Sequence, residues 1–289
     1  MSIFDGLEKL GLGHMKDADV YSDTPKEVPK FKAPEKKVEE EVKESDFTYI
    51  KVFDCPVCEK KFKYPVLKTG KDRLVKQDKD LRPVHKYVDS AKYDVINCNN
   101  CGYAVLPRYY GPLAKPHKDM LREAIAAHYK PMFEVGETVT YGQAYTRFKL
   151  ALANAVARHA KDSEKALICL RTAWLVRGMQ EHPDEIPDKE EFSMDNLKVI
   201  EQEYLKEAMN GFIKARESER PPIAGMNEVT LDYLLAVLCL GQEDFENAIK
   251  LAQSIISSSQ AGSAQKDKAR ELMLEIKESI KKKKAMEAK

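Results

Sequence analysis

The sequence has almost no surplus of charge. Across 289 residues, 48 Lys and Arg stand against 47 Asp and Glu, a formal balance of +1. No global field steers such a chain to nucleic acid or to an anionic membrane, so binding of that kind would need a local patch. Long apolar runs are missing as well. The most apolar window, Leu231 to Leu240, falls well short of the roughly 18 residues that read as a membrane span. The opening MSIFDGLEKLGLGHMKDADVY has no basic stretch followed by an apolar core, so no secretory leader is expected. There is no GxxxxGK[ST], no GxGxxG after a strand, no GxSxG and no HExxH. These gaps remove the phosphate-loop, dinucleotide, hydrolase-elbow and zinc-protease readings. A soluble, cytoplasmic protein with no membrane role is the expectation.

What is present is a core-sized apolar fraction of 43% with 33% charged residues. That combination implies a packed interior under a heavily charged surface. The residue pattern divides the chain into four parts. Residues 1–22 read as a short amphipathic segment, with Ile3, Leu7 and Leu10 on one helical face and Gly11 and Gly13 ending it. Residues 23–46 are rich in Lys, Glu and Pro and bury too little to offset their ordering entropy, so they read as a disordered linker.

Residues 47–110 turn to Tyr, Phe and Val with Pro and Gly punctuation. Phe62–Leu67, Tyr93–Asn97 and Tyr103–Leu106 read as short strands. Residues 111–289 follow a helical period. Helices are expected over 117–133, 138–160, 163–179, 193–218, 227–241, 244–258 and 263–284, with Asp162 or Ser163 capping the third. A weak repeat runs through the helices. Ala166, Leu170 and Ala173 recur as Ala208, Phe212 and Ala215, and again as Ala248, Ala252 and Ile255. Small residues at such positions let paired helices approach closely, which suggests a tetratricopeptide-like array. The fold class expected is mainly α, with a small β zinc-ribbon-like module ahead of the helical domain.

Six cysteines are present, four of them in two CxxC pairs. Cys55-Pro-Val-Cys58 and Cys98-Asn-Asn-Cys101 each place two thiolates on one tight turn, so each supplies half of a tetrahedral tetrathiolate site. Gly102 follows the second pair, where a left-handed backbone suits glycine; Glu59 holds the matching place after the first. The span between the pairs is unusually long and contains the polar stretch Lys68–Asp80, which predicts an extended hairpin or insertion. Four thiolates leave no open coordination position, so Cys55, Cys58, Cys98 and Cys101 are expected to hold one structural zinc ion rather than a catalytic one. Iron–sulfur and dithiol-redox roles are the lesser alternatives, and no catalytic residue is named. Cys169 and Cys239 sit inside helical patterns and read as small buried hydrophobes. His85 is a minor substitute ligand. His117, His128 and His159 read as surface residues on helices. Trp174, the only tryptophan, reads as core.

Five stretches together carry a family resemblance. DCPVCEKKFKYPVLKTGKDRLVKQDKDLRP, KYDVINCNNCGYAVLPRYY, KALICLRTAWLVRG and GMNEVTLDYLLAVLCLGQEDFENAIKLAQSII resemble the bacterial domain of unknown function 2225 family, and IFDGLEKLGLG resembles the start of its clostridial members. The resemblance implies a cysteine-knuckle module followed by a tetratricopeptide-like helical domain in a bacterial cytoplasmic protein. It implies no established activity. Glu59 departs from the glycine common in the family at that place.

The expected role is a non-enzymatic protein–protein interaction scaffold. Stacked helix pairs would offer a concave surface to a peptide or partner helix, lined by residues such as Arg147, Asn154, Arg158, Asp232 and Tyr233. The alternative is a nucleic-acid- or ribosome-associated ribbon. It would rest on Lys60, Lys61, Lys63, Tyr64, Lys68, Lys71, Arg73, Lys76, Arg108, Tyr109 and Tyr110, but Asp72, Asp78, Asp80 and Asp94 interrupt that basic run. No small-molecule substrate is indicated.

Overall fold

The computed structural model of the chain describes residues 42–131, 136–186 and 192–287. The segment expected over 1–22, and all but the end of the linker expected over 23–46, lie outside them. Six short strands come first, in three separate antiparallel pairs. β1 (Thr48–Asp54) pairs with β2 (Lys61–Leu67), β3 (Leu74–Gln77) with β4 (Pro83–His85), and β5 (Ile96–Asn97) with β6 (Ala104–Val105). Seven α-helices follow among the described residues: α1 (Lys115–Leu121), α2 (Tyr141–Ala157), α3 (Asp162–Glu181), α4 (Met194–Ser218), α5 (Glu228–Gly241), α6 (Phe245–Ser257) and α7 (Ser263–Glu287). The fold is mainly α with a small β module before it.

Polar caps set most helix starts. Thr140 and Gln143 form a capping box at α2, and Ser193, Asn227 and Asp244 cap α4, α5 and α6. The cap of α3 is neither Asp162 nor Ser163. The Glu219 carboxylate, just past α4, accepts hydrogen bonds from Ser163 N at 2.9 Å and Ser163 Oγ at 2.7 Å. Two further expectations change. Ser90–Tyr93 is a 3-10 turn capped by Asp89, so the strand expected over Tyr93–Asn97 shrinks to β5. The helix expected from 117 ends as α-helix at Leu121 and continues as a π turn over Arg122–Ala126.

α3 and α4 run antiparallel in close contact. A Cβ added at Gly211 would lie 2.8 Å from Ala166 Cβ, so glycine there permits the approach. The small residues of the weak repeat are fully buried, as close packing requires. The first two motifs, however, fall on α3 and α4, two helices packed on each other. They therefore do not mark equivalent positions in successive helix pairs.

Part of the β module is buried in the helical core, while the residues around the cysteines form a second cluster. Phe47, Val88, Tyr93, Val95 and Leu106 are buried in the same cluster as Phe148, Leu170, Trp174 and Phe212. The turn Glu44–Phe47 begins inside the range 23–46 that composition assigned to a linker. It is held there because Glu44 accepts hydrogen bonds from Lys92 Nζ at 2.7 Å and Tyr93 OH at 2.6 Å. The insertion between the cysteine pairs is the β3–β4 hairpin, as its polarity predicts. Its turn folds back onto α3. There Asp80 accepts from Trp174 Nε1 at 3.1 Å and Arg177 Nη2 at 2.8 Å, and Arg177 also pairs with Glu201 at 2.7 Å.

Candidate metal centre

Each CxxC pair is the tip of a β-hairpin. The first joins β1 to β2 and the second joins β5 to β6. The two tips are built alike. Cys55 N donates to Lys60 O at 3.0 Å and Glu59 N donates to Cys55 O at 3.0 Å. In the second tip, Cys98 N donates to Tyr103 O at 2.8 Å and Gly102 N donates to Cys98 O at 2.9 Å. This turn needs a left-handed residue one place after the second cysteine. Gly102 supplies it at φ +73°, and Glu59 takes the same conformation at φ +63° despite its side chain.

The tips converge so that all four sulfurs lie within 4.8 Å of one another. Cys55 and Cys101 are 3.6 Å apart at Sγ, and Cys58 and Cys98 are 3.8 Å apart. A tetrahedral ion with metal–sulfur bonds of about 2.3 Å has sulfur–sulfur edges near 3.8 Å, so this spacing fits one ion. Cys55, Cys98 and Cys101 are buried and Cys58 is half-buried. No other group of His, Cys, Asp and Glu among the described residues converges in this way. His85 lies outside the cluster. His117 is half-exposed on α1, while His128 and His159 are exposed and lie beyond helix ends.

The electrostatics of the thiols are those of a cation site. Hydrogen bonds from Cys101 and then Cys55 push Cys98 down to about 2. The Cys55 and Cys98 sulfurs push Cys101 up. At Cys55 the contact with Cys101 lowers the value, but Cys98 and burial prevail and raise it to about 12. Crowding of the sulfurs thus drives the proton affinities of Cys55, Cys98 and Cys101 apart, and a bound divalent cation favours the thiolate form of its ligands. Cys169 and Cys239 are different: both are buried in helices, and burial pushes their thiols up to about 12 and about 11.

Helices clamp both knuckles from outside. Arg122 Nε donates to Val57 O at 3.0 Å, and Asn154 Nδ2 of α2 donates to Gly102 O at 3.0 Å. These contacts overturn the expected groove lining. Arg147 and Asn154 are 3% and 1% exposed and face the knuckle module. The Arg147 guanidinium lies 5.1 Å from the centre of the Tyr64 ring. Arg158 pairs with Glu164, and Asp232 is buried against Arg216 at 3.0 Å. Arg158 and Tyr233 stay partly open. Polar residues two helical turns apart resemble a wet face, but here Arg147 and Asn154 cover a neighbouring module. Three of the candidate nucleic-acid residues are also engaged internally. Tyr64 is 1% exposed, Arg108 donates to the Ala224 carbonyl, and Tyr109 packs against both cores.

The fold and the site together define a class: a four-cysteine knuckle module carried on an α-helical domain. Within that class the chain belongs to the family described as uncharacterized protein conserved in bacteria (DUF2225), which matches residues 48–276. No curated protein and no solved structure matches the chain. No helix among the described residues is long and apolar enough to cross a membrane.

Proposed function

We propose that the protein is a zinc-stabilised, non-enzymatic adaptor of the bacterial cytoplasm, in which one zinc ion fixes the knuckle module against a helical domain that docks a protein partner. The observation that carries the metal assignment is the single cluster of four cysteine sulfurs, all within 4.8 Å of one another. Thiolate donors select soft or borderline ions, and a multi-iron cluster would hold its cysteines farther apart. All four positions come from protein, which leaves a bound ion no place for substrate and supports a structural role. Reduced thiols throughout suit a reducing compartment. Metal binding of this type supplies about 10–16 kcal/mol of apparent folding free energy, more than short strand pairs supply alone.

For the partner, the support is a cleft of about 570 Å³ between α4, α5 and α6, with Ile213, Leu235 and Leu251 beneath and Arg216, Lys250 and Ser254 at the rim. With Glu217 and Glu228 also in the lining, an apolar floor under a mixed-charge rim suits an amphipathic helix. The test is affinity capture on the immobilised full chain, with Ser254→Arg as the blocking variant because Ser254 is exposed at the rim. A protein captured by wild type and lost with Ser254→Arg supports the reading. Capture that the variant leaves unchanged counts against it.

A further inference from the structure

The near-neutral chain hides an uneven distribution of charge. Residues 48–88 hold eleven basic side chains against five acidic ones, a surplus of six, while the whole chain carries only +1. In the sequence, aspartates interrupt this basic run. In the fold each of these aspartates is held by a partner of its own, and only Asp78 takes a lysine of the run. Asp72 caps a turn, accepting from Val88 N at 2.8 Å and Tyr87 N at 3.2 Å. Asp78 pairs with Lys76 at 3.2 Å and lies near Arg82 and Arg177, Asp80 pairs with Arg177, and Asp94 pairs with Arg171 at 2.5 Å. Glu59 faces Lys118 and Arg122 on the other side of the first knuckle.

What remains outside is a cationic surface around an aromatic pair. The rings of Phe47 and Tyr87 stack with centroids 5.3 Å apart. Lys71 Nζ lies 5.9 Å from the Phe47 ring and Lys86 Nζ lies 4.6 Å from the Tyr87 ring. Arg73 is joined to this group because its carbonyl accepts from Lys86 N at 3.0 Å. Lys68 closes the turn, its Nζ donating to the uncharged Asp46 carbonyl at 2.9 Å. None of Lys68, Lys71, Arg73 and Lys86 has a carboxylate within ion-pairing distance among the described residues. Tyr87 is 48% exposed.

We propose that Lys68, Lys71, Arg73 and Lys86, set around Tyr87, bind the phosphate backbone of single-stranded nucleic acid, with Tyr87 as a platform for one base. Cations beside an exposed ring match a base with its flanking phosphates, and base–aromatic stacking tolerates any sequence. This goes beyond the adaptor reading and is independent of the α4–α6 cleft.

The experiment is fluorescence anisotropy of the full zinc-loaded chain with labelled, mixed-sequence single-stranded RNA and DNA, at low and at near-physiological salt. Three or four phosphate contacts, each contributing a slope of about 0.7, predict binding roughly 20- to 50-fold weaker when salt rises fourfold. Lys71→Glu/Arg73→Glu/Lys86→Glu should reduce affinity at low salt by at least about tenfold. Tyr87→Ser should weaken binding while leaving the salt slope unchanged. These side chains are exposed, and unchanged circular dichroism of the variants confirms their fold. Lys281→Glu/Lys282→Glu on α7, a second basic region, should bind as wild type. No binding at low salt, or an undiminished triple variant, overturns the proposal. So does an equal loss on α7, or a preference for anionic vesicles or polyglutamate over oligonucleotides.

Discussion

Asn154 Nδ2 donates a hydrogen bond to the Gly102 carbonyl oxygen, 3.0 Å away, and a second to Leu150 O at 2.8 Å. Asn154 is 1% exposed. A helix side chain thus satisfies the backbone of the second cysteine knuckle at a place water does not reach. Asn154→Ala leaves that carbonyl buried without its donor, which should cost about 1–3 kcal/mol. The loss should appear as a lower urea midpoint together with weaker metal retention against a chelator. A midpoint within error of wild type would show that the bond does not couple the two parts.

The two knuckles differ in how well their fifth residue fits. Glu59 and Gly102 share a left-handed conformation, but only Glu59 has a Cβ. Glu59→Gly should stabilise the chain by about 1 kcal/mol, since its exposed contacts with Lys118 and Arg122 contribute little. Gly102→Ala should do the opposite. Its new Cβ would meet Tyr129 Cδ2 at 2.5 Å, and the left-handed conformation adds strain, so a loss of about 2 kcal/mol or more is expected. Denaturant midpoints of the two variants check both signs.

Residues 47–110 alone do not account for the knuckle module's interior. Val88, Tyr93 and Leu106 are buried with α3 residues, and Asp80 is hydrogen-bonded to Trp174. Unfolding should therefore be a single transition. The fluorescence of Trp174, the only tryptophan, should follow the same curve as the helical circular dichroism. Chelating the metal, or Cys98→Ser, should move both curves together to lower denaturant. Two separated transitions would mean that the module unfolds on its own.

Burial holds the Asp232 carboxyl above the ordinary carboxylate range, against the opposing pull of Arg216. The folded chain keeps this proton to higher pH than the unfolded chain does. The resulting stability is fully present below the unfolded pKa and is lost as pH rises through the folded one. Asp232→Asn cannot ionise. Its urea midpoint relative to wild type should therefore rise between about pH 4 and about pH 7. A constant difference across that range would contradict the sign.

The parts of this fold legible in sequence are those fixed by short-range chemistry. The CxxC spacing marks the ligands, Gly102 marks one turn, and helical periodicity with Pro and Gly breaks marks α2 to α7 within a few residues. Long-range placement is what periodicity misses. Arg147 and Asn154 alternate with apolar residues as a solvated face would, yet Asn154 meets the second knuckle and Arg147 meets Tyr64 of β2, both far earlier in the chain. β1 lacks a strand's alternation because Ile50 and Val52 are exposed along with Tyr49 and Lys51, leaving only Thr48 and Phe53 buried. The cap of α3 comes from Glu219, about two helices further along, and no local motif announces it. The engagement of Asp72 by the Tyr87–Val88 backbone and of Asp80 by Arg177 is equally non-local, and it leaves Lys68, Lys71, Arg73 and Lys86 without carboxylate partners among the described residues.

Elemental analysis of the full chain, purified without chelator, tests the metal assignment most directly. The account predicts one zinc per chain, lost on replacing Cys55, Cys58, Cys98 or Cys101 by Ser and kept on replacing Cys169 or Cys239. Protein free of metal, or iron with visible absorption in place of zinc, would contradict it.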